Sequence, residues 1–180
     1  DKRRCKAGFG DVRHIFSEPT FTKSRPIKDH NHNNVLLPLD TLRHYKFHKD
    51  PLNYKKKQNA AIWRGAAYAA QPHRMLFLQR TESSLLCDCQ DTSRNTPKGI
   101  FGKSKNFLSP TQQLQYKFIF AIEGNELASN LKWIMASNSI AVMPKPKFEG
   151  WFAESLLEGN RHYIEINDDF SNIDDRLEYY

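Results

Sequence analysis

The chain has 180 residues, 39% hydrophobic and 12% aromatic, with a net charge of +7. That is apolar mass for one packed domain, or one and a piece, and it excludes a disordered tail. Nine Pro and eight Gly exclude a collagenous chain, and no stretch approaches the roughly 18 consecutive apolar residues of a membrane-spanning helix.

In chain order, residues 1–58 show weak periodicity, with one short strand expected over residues 34–38. Residues 60–65 read as a strand running into a glycine turn, and 72–80 as a helix carrying Met75, Leu76 and Leu78. Residues 88–107 are polar and read as a loop. Ser109 with Gln112 makes a capping box, with Pro110 at the first helical position. Residues 117–123 are an apolar run of β-formers ended by Gly124. Asn125 then caps an expected helix on which Leu127, Leu131, Ile134 and Met135 share a face. A strand over 139–143 stops at Pro144 and Pro146, a helix is expected over 148–157, and a strand over 162–166. Ser171 with Asp174 forms a second capping box, opening a helix through Leu177.

Strand and helix alternate three times with short connections, which predicts parallel βαβ units in a doubly wound sheet. Ligands of such sheets sit at the carboxyl ends of the strands. Those ends are residues 123–125, 144–149 and 167–169.

Charge is uneven. Residues 1–60 hold 14 Lys and Arg against 6 acids, residues 61–120 hold 8 against 3, and residues 121–180 hold 5 against 11. A basic front and an acidic back predict one face that meets an anion: nucleic acid, a phospholipid surface or a nucleotide diphosphate. The three cysteines, Cys5, Cys87 and Cys89, make neither a disulfide framework nor a zinc set and fit a reducing compartment. The histidines form no metal-binding spacing, and no glycine-rich dinucleotide fingerprint or Walker loop occurs.

Two constellations suit an anionic ligand. Arg64 and Gly65 end a strand, where a guanidinium fork matches phosphate and glycine admits a close backbone. Arg74 on the next helix can return to the same place. The second runs from Glu123 through Gly124 and Asn125 to Ser129, Asn130 and Lys132, a strand–turn–helix with free N–H groups at its bend. Glu123 there can accept from ribose hydroxyls. The ordinary reading of the first is a surface arginine beside a turn, and of the second a normal cap with a solvated helix face.

In order along the chain, the pieces resemble glycosyltransferase family 90, which includes bacterial lipopolysaccharide-core sugar transferases and secretory protein O-glucosyltransferases. They are Gly10-Asp11-Val12, residues 19–26, residues 34–39, Arg43-His44, Trp63-Arg64-Gly65 with Arg74, and Tyr116-Lys117-Phe118. Residues 123–133, Trp151-Phe152 and His162-Tyr163 leading to Asp169 complete the set, and the bacterial branch fits best. Two positions depart from some relatives: Ala66 stands where they have Ser, and Asn130 where they have Arg.

The resemblance implies a GT-B architecture of two Rossmann-like domains, present here as a partial chain, as an opening Asp1 in place of Met also suggests. Residues 1–58 would end the acceptor-side region and residues 59–180 would form the nucleotide-sugar domain. It implies transfer from a UDP-sugar to a glycan or lipid-linked acceptor with inversion, with no cofactor or essential metal, and a cytoplasmic location is expected; the basic face adds the separate expectation of peripheral contact with an anionic inner membrane. Asp11 would be the general base. Arg64, Gly65 and Arg74 would meet the nucleotide and its diphosphate, and residues 125–130 would cradle it. The competing reading is a basic nucleic-acid-binding module, motivated by Phe9, Phe16, Phe21, Tyr45, Phe47 and Tyr54 among the lysines.

Overall fold

The computed structural model describes residues 14–38, 45–93 and 105–180. Its frame is a five-stranded sheet. β4 (Gln58–Gly65) buries Ala61, Ile62 and Trp63 on alternating faces. α1 (Pro72–Thr81) follows, with proline at its start, where a missing N–H costs nothing. The chain continues through β5 (Cys87–Asp91), α2 (Pro110–Gln113), β6 (Tyr116–Phe120), α3 (Leu131–Met135) and β7 (Ile140–Met143). β9 (Ile164–Glu165) and α4 (Ile173–Tyr179) end it.

The spatial order is β5-β4-β6-β7-β9, and every pairing is parallel. Counted from β4, the second strand lies outside the first and the rest follow on its other side, so the winding reverses between β4 and β6. One face packs Ala61, Trp63, Phe118, Phe120 and Val142 against α1 and α4. The other packs Ile62, Ile119, Ala141 and Met143 against Leu114, Leu131 and Ile134. Phe77 of α1 centres the first face, with edge-on rings of Trp63, Phe120 and Phe170 at 5.4, 4.9 and 5.3 Å. The α/β class and the parallel sheet with helices on both faces agree with the sequence expectation.

Three small strands tie the front of the chain to this frame. β1 (Thr20–Thr22) pairs in parallel with β3 (Asn34–Leu36), and β2 (Ser24–Pro26) pairs antiparallel with β8 (Phe148–Gly150).

Four local expectations change. Residues 87–91 form an edge strand where a loop was expected; Cys87 and Cys89 are its only inward side chains of any apolar character. Residues 148–157 are β8 and a single 3-10 turn (Glu154–Leu156), because Ser24 to Pro26 claims the backbone of 148–150 as a ladder. The helix expected from Asn125 begins only at Leu131. Before it, the Gly124 N–H bonds Glu126 O at 2.9 Å, and Glu126 is drawn off by Ser24 and Lys23. Leu127 and Ala128 are buried in a non-helical bend, with Leu127 against Gly150. Finally, Ser171 does not cap α4: its hydroxyl donates to Asp169 at 2.7 Å, and Asp174 accepts from Ser84 at 2.5 Å.

Candidate functional site

The carboxyl ends of β6, β7 and β9 open into one cavity of about 230 Å³. Its floor is apolar, with Ile122, Leu127, Met143 and Phe170, and its rim carries His73, Glu123, Lys145, Lys147 and Asp168. The three strand ends picked out in the sequence therefore line a single space. Two of its wall segments hold non-glycine residues at positive φ, Ala153 at 57° and Phe170 at 60°. For Phe170 the burial of its ring against Phe77 holds that conformation.

Beside the cavity, in the crevice between the ends of β4 and β6, lies Arg74. Its Nη1 donates to Ala66 O at 2.8 Å, its Nη2 to Ile122 O at 2.7 Å and its Nε to Glu123 O at 2.9 Å. The backbone after Arg64 and the backbone before Gly124 thus converge on one guanidinium. Among the described residues no carboxylate pairs with it, and burial pulls its pKa down to about 10. Three of the five N–H donors are spent on carbonyls, which leaves two. The Trp63 ring lies 5.4 Å away as the remaining electrostatic partner. Gly124 makes the fit: a Cβ there would stand 3.1 Å from Arg74 Nη2 and 3.4 Å from Gln71 Nε2.

Glu123 faces the cavity. Its Oε1 accepts from the N–H of Lys147 at 3.1 Å and of Phe148 at 3.2 Å. Burial raises its pKa to about 7, against the pull of those two N–H groups and Lys147, with the Glu154 charge adding to the rise. His73 Nε2 donates to Glu123 O at 2.8 Å and fixes the bend from the other side.

The remaining expected site residues are placed as follows. Asp11 lies outside the described residues. Arg64 is not brought to the cavity. Its Nη2 reaches both Asp88 carboxylate oxygens at 2.8 Å and its Nη1 the Asp88 carbonyl at 2.6 Å, so the fork meets a carboxylate of its own sheet. Tyr116 donates to the same carboxylate at 2.9 Å. Gly65 lies under the Trp63 indole, which a Cβ would strike. Asn125 is exposed and accepts from Gln71 Nε2 at 3.2 Å. Ser129 is exposed. Asn130 donates to Phe120 O at 2.9 Å, closing the end of β6. Lys132 is fully buried and paired with Glu154 at 3.0 Å, so its charge is spent inside the wall. No helix begins at Asn125, so the expected cradle of helix N–H groups does not form there.

Of the cavity wall, sequence reading missed His73, Glu154 and Phe170, while Lys145, Lys147, Phe148 and Asp168 fall inside the strand ends it picked out, without individual roles. The Pro144-Lys145-Pro146-Lys147 run at a strand end was their strongest available signal.

This is an α/β protein of the doubly wound class, with a cavity at the carboxyl rim and an unneutralised cation at the point where the winding reverses. Over residues 36–180 the chain matches the family model of glycosyl transferase family 90, and it belongs to that family. It is 41% identical over 180 residues to the O-glucosyltransferase LpsA of Dichelobacter nodosus, an alignment covering 99% of this chain and 55% of that protein. A shorter match, 35% over 74 residues, is to the Uncharacterized protein 035R of Invertebrate iridescent virus 3, covering 40% of this chain and 7% of that protein. The chain therefore spans little more than half the length of LpsA.

Proposed function

We propose that this chain is the donor-binding part of an inverting glycosyltransferase that moves a hexose or pentose from a UDP-sugar to an acceptor hydroxyl. The observation that carries the reading is Arg74, a part-buried guanidinium that pairs with no carboxylate among the described residues, held by three carbonyls where the winding reverses. An uncompensated buried cation is stabilised by an anionic ligand, and the reversal of winding is where doubly wound sheets bind nucleotides.

In this reading the diphosphate lies along the crevice at Arg74 and Gly124, with Gly65 at its edge. Lys145 and Lys147 add positive charge at the mouth, and the rest of the donor enters the apolar cavity. Arg74 stabilises the charge that develops on the UDP leaving group. Glu123 meets the ribose hydroxyls through the carboxylate oxygen that the two backbone N–H groups leave open. Asn125, Ser129 and Asn130 shape the turn beside it, and Lys132 holds the wall through Glu154. Asp11 takes the proton from the acceptor hydroxyl as that oxygen attacks the anomeric carbon. No resident metal or cofactor takes part. The sheet, over residues 59–180, is one half of a GT-B pair, and residues 1–58 belong to the acceptor side. The acceptor is a surface glycan or lipopolysaccharide precursor in the cytoplasm, and because LpsA is named an O-glucosyltransferase, UDP-glucose is the first donor to test.

Calorimetric titration with UDP tests the site. Arg74→Met should weaken UDP by about a hundredfold, the loss of charge-assisted hydrogen bonds to a phosphate. UDP binding that survives this change intact would remove the diphosphate from the crevice. Asp11→Asn should keep UDP affinity and abolish transfer; unchanged turnover would overturn the base. A hydrolysis screen over UDP-glucose, UDP-galactose, UDP-xylose and UDP-N-acetylhexosamines identifies the donor.

A further inference from the structure

Residues 45–56 run along α3 and across the amino-terminal end of the sheet, opposite the cavity. Asp50 anchors this strap by accepting from Lys57 Nζ and from the Asn138 N–H, each at 2.8 Å. Asn138 Nδ2 returns a bond to Leu52 O at 2.9 Å, and Lys57 Nζ also reaches Leu114 O. Those partners precede β4, β6 and β7, so the strap lies over the starts of three strands.

What the strap shows to solvent is basic. Lys46, Lys49, Lys55 and Lys56 are exposed, and none forms an ion pair with a carboxylate among the described residues. The single acid of the segment, Asp50, is neutralised by Lys57. Lys117 extends the patch, its Nζ bonded to Asn59 and lying 5.2 Å over the Tyr54 ring. One large apolar side chain stands among these cations: Phe47, 58% exposed. Phe47 meets the Tyr45 ring edge-on at 6.4 Å but stays exposed, whereas the other rings of the strap are more deeply packed. Tyr54 packs edge-on against Phe118, and Tyr45 is half-buried near Lys132. A groove for single-stranded nucleic acid needs successive open ring faces. A single apolar wedge ringed by lysines suits the boundary between headgroups and acyl chains of an anionic bilayer.

We infer that the strap of residues 45–56 is a docking surface for an anionic lipid bilayer, with Phe47 at the acyl boundary and the lysines on the headgroups. Because the strap and the cavity lie at opposite ends of the strands, the protein on such a surface keeps its cavity open to solvent. The inference does not depend on what the cavity binds.

Sedimentation with vesicles tests it, comparing phosphatidylcholine alone with phosphatidylcholine containing phosphatidylglycerol. The full chain should partition onto the anionic vesicles, and added salt should release it. Replacing Lys46, Lys49, Lys55 and Lys56 by Ser should lower partitioning by about a hundredfold or more. Phe47→Ser should cost about tenfold with an unchanged salt dependence. A charge-matched pair separates position from net charge: Lys55→Ser with Lys56→Ser should lose far more than Lys28→Ser with Lys105→Ser. All these side chains are exposed, so thermal midpoints should stay at the parent value, and the UDP titration should be unaffected. Equal partitioning onto both vesicle types would overturn the inference, as would equal losses in the two lysine pairs. So would oligonucleotide binding through these lysines with no vesicle binding.

Discussion

The two ends of the parallel sheet handle buried charge in opposite ways. At the amino-terminal end, Lys57 and Asp50 are 0% and 5% exposed and lie 2.8 Å apart. Burial pushes the Asp50 carboxyl up, but hydrogen bonds from Lys57 and from the Asn138 and Leu52 N–H groups outweigh it and hold the pKa below its ordinary value. That end is complete as it stands. At the carboxyl end, beside the closed Lys132–Glu154 pair of the cavity wall, Arg74 is part-buried against three carbonyls and the Trp63 ring with no carboxylate partner among the described residues, and Glu123 is part-buried near Glu154 with no side-chain cation among them bonded to it. Such an arrangement is costly unless a ligand completes it. The difference sets a charge that the fold itself neutralises apart from charges that it leaves open to the proposed ligand.

The largest expected effect sits at the complete end. Lys57→Met strands Asp50 inside and should cost about 3–5 kcal/mol in urea unfolding. Arg74→Met removes a cation that had no acidic partner among the described residues and leaves two carbonyls, Ala66 O and Ile122 O, short of a donor while His73 still serves Glu123 O, a net cost of about 1–2 kcal/mol. Equal losses in the two variants would break the contrast and make Arg74 a structural residue.

Glu123 gives the next effect. Its carboxyl has an ordinary pKa of 4.5 and a folded one of about 7. Between those values the unfolded chain is ionised while the folded one keeps its proton, so unfolding releases a proton and stability falls as pH rises. Below 4.5 both states are protonated and above about 7 both are ionised, so the dependence from this group flattens at either end. Glu123→Gln keeps the shape and removes the titration. It should be more stable than the parent by about 3 kcal/mol above neutral pH and equal to it near pH 4. Thermal melts across that range read this directly, and parallel curves for the two proteins would show that Glu123 titrates in the folded protein as it does in the unfolded chain.

The sequence made one kind of structure legible and hid another. β4, β6 and β7 announce themselves because both faces of a central parallel strand are buried, which forces a continuous apolar run. β5 carries Asp88 and Gln90 on one side and two thiols on the other, and as an edge strand it shows no such run. With β5 read as loop, the partner of Arg64 was invisible, and the guanidinium was left for a phosphate. β8 failed for a different reason: its ladder partner, Ser24 to Pro26, is more than a hundred residues away. Trp151 and Leu156, inside the helix expected over 148–157, are exposed. The same long-range pull unwinds residues 124–128, where Ser24 holds Glu126 and Leu127 packs on Gly150. Strand ends could be read from alternation alone, so the position of the cavity followed; the side chains that point into it depend on these distant pairings.

The smallest effect concerns the cavity mouth. Lys147 and Asp168 form an ion pair at 3.0 Å, with side chains 60% and 63% exposed. An exposed pair is screened and worth about 0–1 kcal/mol, so Lys147→Gln should leave unfolding almost unchanged. The Lys147 backbone N–H that holds Glu123 is untouched by the change. If the mouth receives a diphosphate, Lys147 leaves Asp168 for the ligand, and its loss should weaken UDP by about threefold to tenfold with a reduced salt dependence. Asp168→Asn should act in the opposite direction, because it frees the lysine and removes a negative charge from the entrance. Uridine, which lacks the phosphates, should respond to neither change. The pair of opposite shifts for UDP, with none for uridine, is a signature that a merely structural ion pair cannot produce.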